Sequence, residues 1–270
     1  KQEDLEIATH IEAGKLDFST PKAMSLAGSD EIEIAKDSYV DIDWGVNYSG
    51  IYDFIIEAEG KGELFVIFDE IMSDNQIYAN RLGASQLIYF KLQSCNLHFI
   101  SAEPYVMRYT RFVAKGINVK IRKLSLRHIA FPQAEIKTRF VGDDEKMAKI
   151  YDAAVETFRA NAVDIYMDCP SRERAGWLCD SFFTSRVEYA LTGKATLEKC
   201  FLENFLLPEK FEFLPEGMLP MCYPGDHNDK TFIPNWAMWY VLELGEYFKR
   251  TGDKCFVEKA KPRMFALLNY

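Results

Sequence analysis

The chain has 270 residues, 48% of them hydrophobic and 27% charged, with a formal net charge of −9. That length allows one large domain or two ordinary ones, and the apolar content is enough for a sizeable core. The acidic balance argues against nucleic acid or an anionic membrane as the main partner, since either calls for a basic patch; a neutral ligand such as a sugar is compatible with it.

In chain order, residues 1–28 are mixed in character and support no assignment. From there to about 140, short apolar segments alternate with Gly, Asp and Asn turns: 39–44, 50–60, 62–71, 86–92, 106–114 and 117–131. Tyr52, Phe54 and Ile56 alternate with residues of the opposite face, as do Val119, Ile121, Leu124 and Leu126 across a small phase shift. Enrichment in Val, Ile, Tyr and Phe with regular turn punctuation predicts an antiparallel β-sandwich over 1–140.

After Phe140 the period becomes helical. Gly142-Asp143-Asp144 marks a helix start, and Met147, Ile150, Tyr151, Ala154, Val155 and Phe158 recur at steps of three and four. Further helices fit roughly 180–192, 195–206, 235–250 and 254–269, with Pro262 expected to kink or break the last. Thr192-Gly193 and Thr251-Gly252 each close one helix and open the next. This echo suggests αα-hairpins and a helical repeat or α/α toroid over 141–270. No apolar run approaches the roughly 20 residues that span a bilayer. The chain begins at Lys1 with no signal-like segment, which implies prior processing or trimming. The compartment and the oligomeric state stay open, with a slight lean to a periplasmic or secreted location.

The six cysteines (95, 169, 179, 200, 222 and 255) form no CxxC pair and no zinc-finger spacing, so neither a metal site nor a cofactor is expected. The even count permits disulfides without implying them.

The segment 168–180, DCPSRERAGWLCD, follows no apolar period. Cys169-Pro170 stops the preceding helix and makes the segment a loop. Asp180 reads either as the N-cap of the next helix or as an acceptor for ligand hydroxyls. Arg172, Glu173 and Arg174 read as a solvated charge run or as a working cluster, and Trp177 as a core anchor or as an apolar wall for a sugar ring. A carboxyl beside two arginines has its acidity set by competition between those cations and desolvation. Glu173 is thereby a candidate proton donor, provided that desolvation wins.

The loop resembles the signature of the bacterial α-L-rhamnosidases of glycoside hydrolase family 78, in the shorter form of the motif. Many members carry one more acidic residue before the Glu, and Cys179 stands where a Gly is frequent. The stretch 223–239, YPGDHNDKTFIPNWAMW, is similar to the family's aromatic-rich segment at a later helix start. The resemblance implies an α+β multidomain protein, a β-sandwich followed by the N-terminal portion of an (α/α)6 barrel. It also implies an inverting hydrolase that removes terminal α-L-rhamnose from a rhamnose-containing glycoside or oligosaccharide. On it, Glu173 matches the general acid, Asp168, Arg172 and Asp180 match residues that hold the sugar hydroxyls, and Trp177 matches an aromatic of the pocket. Trp236, Trp239, Asp226 and His227 are weaker candidates. The general base is expected beyond residue 270, in a longer polypeptide, with Glu203, Glu212 and Glu216 as in-chain alternatives. The competing expectation is a non-catalytic carbohydrate-binding or scaffold protein that retains the loop.

Overall fold

The computed structural model describes residues 31–225 and 230–270, together with the backbone of 5–6, 10–15 and 22–23. The chain forms two compact units, Lys1–Ile129 and Ala130–Tyr270.

The first unit is an antiparallel sheet of ten strands: β1 Leu5–Glu6, β2 His10–Lys15, β3 Lys22–Ala23, β4 Glu31–Ile34, β5 Ser38–Ala58, β6 Gly62–Asp69, β7 Leu87–Leu92, β8 Cys95–Ile100, β9 Tyr105–Lys115 and β10 Val119–His128. The 21-residue β5 makes it a sandwich. Its first part pairs with β2 and β9, and β9 continues to β6 and β7. After a register shift between Asp43 and Tyr48, its last part pairs with β8 and β10. Alternate residues of both layers point inward, so Ile42, Tyr52, Phe54, Ile56, Leu64 and Phe112 are fully buried. The buried rings of Trp44 and Tyr52 bring their polar ends to Thr110 Oγ1, at 3.0 and 2.6 Å.

Three details correct or explain the sequence reading. The segments expected at 39–44 and 50–60 are one strand, because a bulge bends the chain without ending its ladder. The phase shift in the last apolar run is a second bulge, between Arg122 and Ser125, with Lys123 at φ 52°. β8 carried no clear pattern because four of its six side chains are exposed. Near the loop after β6, a buried ion pair joins Arg111 to Asp41 at 2.5 and 2.6 Å, and the same guanidinium donates to Asn75 O and Gln76 Oε1.

The second unit holds a 3-10 turn at Gln133–Glu135 and five helices: α1 Glu145–Asn161, α2 Leu178–Thr192, α3 Thr196–Asn204, α4 Pro234–Thr251 and α5 Lys254–Leu268. Residues 130–140 belong with these helices. Phe131 packs on Phe158 at 5.1 Å, and Lys137 N–H donates to Leu191 O. Asp144 caps α1 by accepting from Lys146 and Met147 N–H. The paired Thr-Gly turns share one geometry. Gly193 and Gly252 take left-handed φ values of 70° and 68° and donate to Tyr189 O and Phe248 O. Each preceding threonine hydroxyl then accepts from the second residue on, Lys194 or Asp253. α5 continues through Pro262, so the proline does not break the helix.

Candidate active-site loop

α1 ends at Asn161, and an isolated bridge between Ala162 and Tyr166 turns the chain into the loop. The loop neck is closed twice between Asp168 and Ala175. Asp168 N–H donates to Ala175 O, and Asp168 Oδ1 accepts from Ala175 N–H, both at 3.1 Å. Arg174 sits at φ 51° inside the turn that this closure demands.

Beyond the neck, residues 176–178 run antiparallel to 221–223. Tyr223 N–H donates to Gly176 O, Leu178 N–H donates to Met221 O, and Trp177 faces Cys222. The first motif stretch therefore meets the start of the second, at Tyr223, in a short ribbon. The glycine is required there: a Cβ on residue 176 would lie 2.7 Å from both a Phe201 ring carbon and Tyr223 O.

Glu173 is gripped on both carboxylate oxygens, with Arg172 donating to Oε1 and the Trp177 indole N–H donating to Oε2 at 2.9 Å. Its own N–H points at Cys169 Sγ, 3.4 Å away. Trp177 is thus tied to the carboxylate by its polar edge. Burial pushes the Cys222 thiol up to about 12, with the charges of Asp168 and Glu173 adding to the effect, so the thiol is neutral beside the loop.

Asp180 is not the helix cap. α2 begins at Leu178 with Trp177 as N-cap, and Asp180 falls in the first turn. The reason is tertiary: the ribbon to 221–223 ends at Leu178 and fixes the first helical residue two positions earlier than the sequence suggested. Burial raises the Asp180 carboxyl above its ordinary value, and the nearby charges of Asp168 and Glu173 raise it further. Asp168 and Asp180 line a groove of about 380 Å³ between α1 and α2, with Asn161, Met167, Phe183 and Thr184. Glu173, Arg172 and Trp177 are outside that lining and form the adjoining cluster.

The other candidates separate from this group. Trp236 stands half-buried in the first turn of α4, and no hydrogen bond or ring contact joins it to the loop among the described residues. Trp239 packs against Phe182 and Phe183, at 4.7 and 5.8 Å, as part of the α2–α4 contact. Asp226 and His227 lie outside the described residues. Glu203 pairs with Lys259, while Glu212 lines a small pocket that also contains Cys222 and Tyr223. No group of three or more His, Cys, Asp or Glu suited to a metal ion occurs among the described residues.

The sequence reading missed a buried polar face on α2. Ser181, Ser185, Glu188 and Thr192 all point inward. Glu188 takes three donors: Tyr166 OH and the N–H groups of Leu197 and Glu198, which open α3. It thereby caps a helix whose own N-cap residue, Ala195, offers no side-chain acceptor. The legible signal was the spacing 181, 185, 188, 192, a helical stripe written in polar residues rather than apolar ones.

The family model for the bacterial alpha-L-rhamnosidase 6 hairpin glycosidase domain matches residues 136–270. An alpha-L-rhamnosidase from Alteromonas sp. (strain LOR) is 20% identical over 274 residues, which cover 97% of this chain and 28% of that protein. Among solved structures, the GH78 family rhamnosidase of Bacillus sp. GL1 superposes with a TM-score of 0.74 at 21% identity, over 91% of this chain and 24% of its own. The rhamnosidase from Klebsiella oxytoca with rhamnose bound gives 0.73 at 19%, over 98% and 56%. The chain therefore spans about a quarter of the curated relative and of the first of these structures, and the likeness to solved structures establishes its fold.

Proposed function

This chain belongs to the bacterial alpha-L-rhamnosidase six-hairpin glycosidase family, and from that premise we propose that it carries the acid half of a rhamnoside-hydrolysing site. The reaction is removal of terminal α-L-rhamnose with inversion of configuration. The observation that carries the reading is the gathering of three carboxyls, Glu173, Asp168 and Asp180, within electrostatic reach at one loop, where Arg172 and Trp177 fix the Glu173 carboxyl in place.

In this reading Glu173 donates a proton to the departing glycosidic oxygen. Both of its oxygens accept hydrogen bonds in the free site and those donors favour the carboxylate, so protonation of Glu173 is eased by release of the cationic one. Arg172 is the partner to be released: its side chain is about half exposed, at 49%, and in this reading it turns to the sugar hydroxyls as the carboxyl takes its proton. Trp177 is held by the ribbon and keeps the remaining contact. Asp168 and Asp180 accept from vicinal hydroxyls in the groove, whose volume accommodates a single pyranose ring. An inverting site needs a second carboxylate about 6.5–9.5 Å from the acid to activate water on the opposite face. We assign that base to the part of the longer protein beyond residue 270.

The test is Glu173→Gln in the longer protein, assayed on an aryl α-L-rhamnoside with a good and with a poor leaving group. Loss of a general acid costs about 10²–10⁴-fold on the poor leaving group, with rhamnose binding retained. Turnover near wild type on that substrate sinks the assignment.

A further inference from the structure

Four polar side chains in the interior of the helical unit take no part in the proposed reaction: Glu243 and Arg250 on α4, Glu198 on α3 and Ser181 on α2. Both glutamates have no exposed surface. Arg250 forms an ion pair with Glu198 through Oε1, leaving Glu198 Oε2 without a hydrogen-bond partner, and also donates to Ser185 Oγ at 3.3 Å. No cation forms a salt bridge with Glu243 among the described residues. Its Oε2 lies 2.7 Å from Ser181 Oγ, and its Oε1 has no hydrogen-bond partner.

Proton bookkeeping at Ser181 decides the state of this contact. The serine oxygen lies 2.7 Å from two oxygens, Glu243 Oε2 and the backbone carbonyl of Leu178. A hydroxyl has one proton to donate. If it goes to the Leu178 carbonyl, which can only accept, then Glu243 must be the donor to Ser181. The alternative leaves two bare acceptors in contact and a fully buried, ionised carboxylate held by one hydroxyl, a costly arrangement. Burial pushes Glu243 well above its ordinary value, and the charge of Glu198 adds to this while Ser181 and Arg250 oppose it.

We propose that Glu243 is a positioning residue for the 168–180 loop, acting as a neutral carboxylic acid that donates through Ser181 to the Leu178 carbonyl. Leu178 is the first residue of α2, flanked by Trp177, which holds Glu173, with Asp180 in the same turn. The relay links the interior of α4 to the turn on which those side chains stand. The part about turnover rests on the function proposed above; the part about the proton and Trp177 does not.

The experiment compares Glu243→Gln, Glu243→Leu and Ser181→Ala in the longer protein. The amide of Gln keeps a donor for Ser181, whereas Leu fills the space without one. In wild type at mildly alkaline pH, infrared spectroscopy should show a protonated-carboxyl band that Glu243→Gln removes. The Trp177 indole N–H resonance should stay in place in Glu243→Gln and move in Glu243→Leu and Ser181→Ala. Hydrolysis of the aryl rhamnoside should follow the same order, close to wild type for Gln and reduced about 10–100-fold for Leu, the scale expected of a misplaced catalytic group. Absence of the band, or an unmoved Trp177 resonance in both Glu243→Leu and Ser181→Ala, overturns the proposal. Should Glu243→Leu fail to fold, the band and the Ser181→Ala resonance decide it. A wild-type protein inert on rhamnosides would refute the proposed function and leave the spectroscopic test of Glu243 standing.

Discussion

Gly176→Ala is the most direct probe of how the loop is held. The added Cβ would meet a Phe201 ring carbon and Tyr223 O, each at 2.7 Å, and Ile165 Cδ1 at 3.4 Å. Carbon contacts relax at about 3.5–4.0 Å, so the ring is overlapped by close to an ångström. Phe201 cannot swing aside, because it is fully buried between Tyr166 and Phe205. Tyr223 O is backbone, and moving it opens the bond from Tyr223 N–H to Gly176 O. Overpacking of this kind costs about 1–3 kcal/mol, and loss of the ribbon hydrogen bond adds about 1 kcal/mol. For a unit the size of the helical one, a total of roughly 2–4 kcal/mol lowers Tm by about 6–15 °C. Gly245 supplies the control within α4, since a Cβ there meets nothing within 4 Å. Gly245→Ala should stabilise by about 0.5–1 kcal/mol through helix propensity. Calorimetry with urea denaturation reads both. A Gly176→Ala protein with the Tm of wild type, or two alanine variants shifting in the same direction, would refute the close-approach argument.

Two further predictions concern buried charge. Burial raises Glu198 to about 6 against the opposing pull of Arg250, so the folded state holds a proton that the unfolded chain releases near 4.5. This stabilisation is complete below the unfolded value and is lost as pH rises through about 6, a contribution of roughly 2 kcal/mol. The urea midpoint of the helical unit should fall across that window and flatten in Glu198→Gln; identical slopes in the two proteins would contradict the reading. In the sandwich, Arg111→Met strands the buried Asp41 carboxylate and should cost about 3–5 kcal/mol in denaturant unfolding, with Asp41→Leu in the same chain recovering most of the loss. A single variant as stable as wild type would show that the pair does not hold the strands.

The local determinants were the legible ones. The helix start at Gly142-Asp143-Asp144 and the twin Thr-Gly turns follow from side chains acting within a few residues of themselves, and both stand in the structure, with Asp144 as the cap. The alternation of Tyr52, Phe54 and Ile56 marks a strand because period two survives wherever one face is buried. β8 was illegible for the converse reason: its side chains are mostly exposed and carry no such period.

The sequence by itself determined that a β-rich unit precedes a helical one, and that the segment from Asp168 to Trp177 is a loop crowded with carboxylates, arginine and tryptophan. Those properties are written in short-range spacing and composition. Only the tertiary structure decided that Gly176 and Tyr223 share a ribbon, that Trp177 rather than Asp180 opens α2, and that Glu188, Glu198 and Glu243 are interior. Burial and protonation are sums over neighbours brought together from distant parts of the chain, and a glutamate on a helix bears no local mark of which face will be covered.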